Sequence, residues 1–173
     1  MTTEELEAGL NDVRASPEND GVLEMIVRRP LVDEREELSE ARLDTAEGLV
    51  GDSWSRRRRP NPDAQLTVMN ARLIALIAGD RARWPLAGDQ LFVDLDLSTR
   101  NLPSGTRLSL GTAIIEITHE PHTGCRKFAS RYGLEAVAFV NSPVGRDLRL
   151  RGANARVVQS GTIRAGDIVS RMR

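Results

Sequence analysis

The apolar residues of this chain come in short runs, and most runs end on glycine, proline or an Asn/Asp turn. Gly21–Arg29 (GVLEMIVRR), Gln65–Met69 (QLTVM), Arg107–Leu110, Ala113–Thr118 (AIIEIT), Ala155–Val158 and Asp167–Ser170 reach the length of a strand and stop. Glu40–Leu43 and Leu148–Leu150 are read as two more strands. Leu91–Leu97 (LFVDLDL) alternates apolar and acidic residues, the period of a half-exposed strand. Gly111 sits where Arg107–Leu110 and Ala113–Thr118 would fold back as a hairpin. Many short strands divided by Gly and Pro turns build barrels or sandwiches. Regular strand–helix alternation is missing, which argues against a doubly wound sheet.

Helical segments are few and carry their own punctuation. Thr2 and Glu5 form a capping box, and Leu6, Leu10 and Val13 follow at helical spacing, which predicts a helix over Thr3–Ala15. Pro17–Gly21 ends it with turn chemistry. Asn70 caps a second helix through Ala78, and Gly79 stops it. Arg126–Tyr132, closed by Gly133, and Leu134–Val140, closed by Asn141-Ser142-Pro143, read as two short helices. The expectation is a mainly β barrel with short helical insertions. Residues 1–20 would form an N-terminal helix and linker, and residues 21–173 the barrel domain.

Lys and Arg number 24 and Asp and Glu 25, a formal net charge of −1, which argues against a nucleic-acid binder. No apolar run is long enough to span a bilayer, and the acidic N-terminus lacks the pattern of a secretory signal. One cysteine cannot form an internal disulfide and fits a reducing compartment. The expectation is a cytoplasmic protein with no nucleic-acid or membrane partner.

The chemistry-bearing residues are concentrated. Cys125 is the only cysteine, Lys127 the only lysine, and His119 and His122 the only histidines, so all four fall within nine residues. The order there is strand, loop, cysteine, helix, which puts Cys125 at the start of a helix, where free N–H groups and the positive dipole favour a thiolate. Arg126 and Lys127 add cationic charge, and Gly124 removes bulk beside the sulfur. Such a cysteine suits a nucleophile, a persulfide carrier or a soft metal ligand equally. A Cys–His hydrolase would need one of the histidines as base, but protease signatures are missing. The spacing H-x-x-H-x-x-C offers three zinc ligands without a fourth, and Pro121 rules out a helical H-E-x-x-H site. The Arg56–Arg59 run reads as a solvated loop, with anion reading as its functional alternative. Asp52, Asp89 and Asp167 each follow a glycine and read as turn-shaping residues.

The stretch PHTGCRKF, with its surroundings, resembles the MOSC family, named for the C-terminal domain of molybdenum cofactor sulfurases. GLVGD at Gly48–Asp52 is similar to an early Gly-x-x-Gly-Asp signature of stand-alone bacterial members. Leu86–Gly111 is similar to the central stretch of the family, and Asn154–Val169 to its C-terminal ending. The family's His-Gly-Gly segment after Gly-Asp is replaced here by Ser53-Trp54-Ser55 and the arginine run.

The resemblance implies a MOSC-type β-barrel with the cysteine in a cleft. It implies a cysteine-dependent sulfur-transfer or molybdenum cofactor (molybdopterin)-binding protein, with Cys125 as persulfide carrier or molybdenum ligand. His122, and after it His119, would move protons, and Lys127 and Arg126 would hold the thiolate and nearby anions. Thr123 and Gly124 would join them around the cofactor. A phosphorylated ligand would also call on Asn101, Asn154 and the arginines of RLRGANAR, where Arg149, Arg151 and Arg156 would lie along one face of a strand pair. Pyridoxal phosphate is not expected on this chain, which carries no aminotransferase-like segment. Expected partners are a small-molecule or cofactor ligand and a sulfur-donor protein or partner reductase. The alternatives are a cysteine-dependent lyase or detoxification enzyme acting on a sulfur-containing small molecule, and a non-enzymatic cofactor-binding module.

Overall fold

The computed structural model describes residues 1–173. Its elements in chain order are α1 (Thr3–Arg14), β1 (Gly21–Arg28), β2 (Glu36–Leu38), β3 (Glu40–Asp44), β4 (Gly48–Leu49), β5 (Leu66–Asn70), α2 (Ala71–Ala78), β6 (Leu91–Asp94), β7 (Arg107–Leu110) and β8 (Ala113–Ile117). Then follow α3 (Arg126–Tyr132), α4 (Leu134–Asn141), α5 (Pro143–Asp147), β9 (Ala153–Gln159), β10 (Gly161–Arg164) and β11 (Ile168–Arg171). Short 3₁₀ turns occupy Trp54–Arg56, Pro62–Ala64 and Arg81–Ala87.

Seven strands close into a barrel in the order β1-β11-β7-β8-β9-β5-β6, and β6 returns to β1. Every pairing is antiparallel except β5 with β6, whose crossover is α2 and the Arg81–Ala87 turn. β2 extends the sheet beside β1, and β10, β3 and β4 form a separate three-stranded sheet. Closure removes free sheet edges, the arrangement short antiparallel strands need to satisfy their backbone groups.

Two apolar layers hold the fold. Leu23, Ile26, Leu66, Val68, Leu91, Val93, Ile115, Ile117 and Ala155 fill the barrel interior. Met25, Val27, Met69 and Phe92 leave the opposite face and meet Leu6, Leu10, Leu73, Ile74, Ile77 and Phe128 from the helices. A register shift between Leu23 and Met25 lets Leu23 and Ile26 both belong to the interior. Capping follows the sequence. Thr2 and Glu5 close their box, and the Asn70 side chain accepts from the Leu73 N–H.

Several expectations change. Leu91–Leu97 is not half-exposed: Leu91, Val93, Leu95 and Leu97 face the interior and Phe92 the helices. Its acidic residues are tied to partners, Asp94 to Arg72 and Asp96 to Ser98. Leu148–Leu150 is not a strand. It is the turn leaving α5, where Arg149 takes a left-handed φ of 47° and Leu150 is buried in the helical layer. Arg149, Arg151 and Arg156 therefore share no strand face, because only Arg156 lies in β9.

Candidate functional site

The loop from Thr118 to Gly124 carries both histidines into α3, and three side chains that lie far away in sequence hold it. The Asn154 amide donates to the carbonyls of Glu120 (3.1 Å) and Pro121 (3.2 Å). The Asn141 amide clamps Gly124, accepting from its N–H at 2.8 Å and donating to its carbonyl at 3.0 Å. Asp89 meets His122 Nε2 at 3.0 Å. Glycine is needed at two places. A Cβ on Gly124 would lie 3.0 Å from methyls of Val137 and Val140 on α4, so the residue ahead of the cysteine is pressed against that helix. Gly152, at φ 106°, lies beneath the His122 ring, and a Cβ there would also sit 2.4 Å from the Val68 carbonyl.

Asp89 is the hub of the site. It is fully buried and receives Arg151 at 2.7 Å on one oxygen and His122 on the other. Burial opposes its ionisation, but Arg151 and the His122 hydrogen bond outweigh that cost and pull its pKa down to about 2. His122 moves down from its ordinary value, because burial and Arg151 outweigh its contact with Asp89. The ring is therefore neutral at pH 7, and Arg151 is the cation that keeps Asp89 charged. The Arg151 guanidinium also lies over the Phe128 ring of α3, 4.8 Å from its centroid. A second buried carboxylate, Asp52, holds Arg29 through a bidentate pair with contacts of 3.0 and 2.7 Å.

Cys125 is exposed and precedes α3 with an extended backbone. Its sulfur makes no full capping hydrogen bond, yet the N–H groups of Phe128 and Lys127 face it. The Phe128 amide above all, then the Lys127 amide and Arg151 and Arg131 at longer range, lower the thiol pKa and outweigh the opposing effect of burial. The sulfur opens on a cleft of about 560 Å³. Seven basic side chains line that cleft (Arg29, Arg35, Arg56, Arg57, Lys127, Arg131 and Arg151), against one carboxylate, Asp33. Arg56 and Arg57 come from the arginine run, so half of that exposed, solvated run also lines the cleft.

A family model for the MOSC domain matches residues 61–170. The chain belongs to the MOSC family. No curated protein sequence matches it. Among solved structures, a protein described only as hypothetical superposes with a TM-score of 0.63 at 17% identity, covering 90% of this chain and 69% of the other. The YuaD protein from Bacillus subtilis gives 0.59 at 17% identity, over 86% and 93% of the two chains. YiiM from Escherichia coli gives 0.58 at 18%, over 88% and 70%. These likenesses show a shared barrel. MOSC domains as a class are associated with molybdenum cofactor binding. No helix of this MOSC domain is long and apolar enough to cross a membrane.

The expected site residues divide into three groups. His122, Cys125, Lys127 and Arg151 line the cysteine cleft. His119, Thr123, Arg149 and Asn154 line a second cleft, about 550 Å³, and His122 borders both. Gly124 joins the two without lining either, and the exposed Arg126 lines neither. Asn101 and Arg156 are occupied elsewhere. Asn101 is buried, donating to the carbonyls of Glu18 and Asp96. Arg156 pairs with Glu116 at 2.6 Å on the barrel surface. Sequence reasoning misses Asn141, Arg29 and Arg35, and reads Asp89 and Asp52 only as turn-shaping residues. Of the Gly-Asp pairs, Asp52 does shape its turn, accepting from the Trp54 N–H at 3.1 Å, and also anchors Arg29 of the cleft, whereas Asp89 shapes no turn and anchors Arg151 and His122 instead. Asp167 does cap its turn, accepting from the Arg164 N–H at 2.7 Å.

Proposed function

We propose that this MOSC domain binds a phosphate-bearing molybdenum cofactor in the cysteine cleft and presents the Cys125 thiolate to it, as molybdenum ligand or as carrier of a sulfane sulfur. The observation that carries this reading is the ring of seven basic side chains around one exposed, acidified cysteine. Three of those cations have carboxylate partners, Arg29 with Asp52, Arg131 with Asp33 and Arg151 with Asp89. Arg35, Arg56, Arg57 and Lys127 have none within 4 Å, and four uncompensated cations call for an anion.

The residues present fit such a group. Arg151 is buried, lines the cleft, and its Nε has no hydrogen-bond partner within the protein. A buried orphan donor costs about 1–3 kcal/mol unless a ligand or water satisfies it. No three His, Cys, Asp or Glu side chains converge as a cage for a bare metal ion. The single thiolate suits a metal whose remaining ligands arrive with a cofactor, and thiolate is a soft donor. When bound, the cofactor would supply the redox or sulfur-accepting centre. Arg56, Arg57 and Arg35 would hold its phosphate, Arg151 would donate Nε–H to it, and neutral His122 would hold or release a proton at the cleft wall. An exposed Cys125 is also open to a sulfur-donor protein or a partner reductase.

Titration with isolated molybdenum cofactor under anaerobic conditions tests the reading. Wild-type protein should retain it through gel filtration, and an Arg56→Gln/Arg57→Gln variant should weaken retention about tenfold, the order expected for lost charge-assisted contacts. Equal retention by that variant would overturn the assignment of the phosphate to the arginine run.

A further inference from the structure

The second cleft lies across His122 from the cysteine and is built differently. Its cations are Arg146 and Arg149, one carboxylate, Glu120, also lines it, and neither arginine has a carboxylate within 4 Å. Arg146 is exposed and makes no side-chain hydrogen bond. Arg149 is half-buried, and burial lowers its pKa. Its only partners are the carbonyls of Leu97 (3.2 Å) and Leu102 (2.5 Å), both on Nη1, so Nε and Nη2 are uncommitted. A half-buried guanidinium without a counter-charge is costly.

The backbone repeats the point. Arg149 follows Leu148, the C-cap of α5, and takes the left-handed conformation that helix ends usually give to glycine or asparagine. A long cationic side chain there is strained, and strain of this kind collects at ligand sites. An uncompensated cation and a strained position coincide at one wall of one cleft.

We infer that the second cleft is an oxyanion site, taking a small molecule through a carboxylate, phosphate or sulfur oxyanion held between Arg146 and Arg149. Thr123, whose hydroxyl has no partner in the fold, and the exposed His119 border the same space and supply further donors. The bound molecule would lie against the face of His122 opposite Cys125. The ring would then separate two anion sites, one beside the thiolate and one beside Arg149. This inference does not rest on the cofactor reading, because it uses none of the cations of the cysteine cleft.

The test is an amide NMR titration of the full chain with inorganic phosphate, sulfate and acetate in turn, at low ionic strength. Wild-type shifts should move at Thr123, Gly145 and Gly152, and the strongest of the three ions identifies the oxyanion. Arg146→Gln removes a charge that touches nothing, so the fold is kept, and it should weaken those shifts about tenfold. Arg149→Lys, which keeps the charge but not the fork, should weaken them as well, while Arg57→Gln should leave them unchanged. Shifts confined to the residues around Cys125, or shifts at the second cleft that survive both Arg146→Gln and Arg149→Lys, would overturn the inference. So would the absence of any shift at Thr123, Gly145 and Gly152 with all three ions.

Discussion

At the residue scale the site rests on one thiol and one buried carboxylate. Amide groups of Phe128 and Lys127 and the nearby arginines hold the Cys125 thiol below the ordinary cysteine value. Its alkylation rate should therefore reach half its maximum below the pH of about 8.5 typical of a free cysteine, as a rate-against-pH profile will show. A midpoint at or above that value would contradict the geometry. Asp89 makes the fold acid-labile. Its folded pKa of about 2 is below the unfolded value, so the stabilisation is complete above roughly pH 4 and is lost as pH falls toward 2. That depression corresponds to about 2 kcal/mol. His122 acts in the same direction: with its pKa lowered in the fold, it withdraws stability as pH falls below about 6.5. In Asp89→Asn the acid transition should flatten, and stability at pH 7 should drop by about 3 kcal/mol, since Arg151 is left buried without its partner. Urea unfolding at pH 7 and pH 4 measures both changes.

At the scale of elements, the cysteine is placed by contacts that cross the chain. The Thr118–Gly124 loop has no ladder of its own and depends on Asn154 of β9, Asn141 of α4 and Asp89 ahead of β6. Truncating Asn141 to Ala removes both bonds to Gly124 and should cost about 1–2 kcal/mol. It should also raise the Cys125 alkylation midpoint, because the start of α3 is no longer fixed; an unchanged midpoint would show that α3 needs no clamp. Gly152→Ala should be harsher, at roughly 3 kcal/mol, because its Cβ would strike the Val68 carbonyl and the φ of 106° is strained for alanine. Thermal unfolding of the purified variant checks that value. Periodicity and capping made the strands and helices readable, down to the Asn70 cap and the hairpin at Gly111. They misread Leu148–Leu150 because two leucines flanking an arginine mimic strand alternation, whereas Pro143 and Gly152 confine that segment to a short helix and a turn. They also made Leu91–Leu97 half-exposed, since alternation cannot tell a solvent face from one covered by helices.

At the scale of the whole molecule, a chain of net charge −1 gathers seven basic side chains into one cleft. Composition hides that segregation, which closure of the barrel produces by bringing residues 29–35, 56–57 and 127–151 together. Cys125, His122 and Lys127 were legible because they are rare and close in sequence. Their supports were not, because Asp89 and Asn141 acquire their roles only through tertiary contact. The central claim is that this cleft holds a phosphate-bearing molybdenum cofactor against Cys125. Native mass spectrometry tests it most directly, on protein freshly purified from cells that make the cofactor, with molybdenum and phosphorus measured on the same sample. Wild-type protein should carry a cofactor-sized adduct containing both elements, or a single-sulfur adduct removed by reductant together with cofactor-sized mass. Cys125→Ser should lose the molybdenum or the sulfur. A bare wild-type mass without molybdenum, phosphorus or sulfane sulfur, or an adduct identical in Cys125→Ser, would contradict the account.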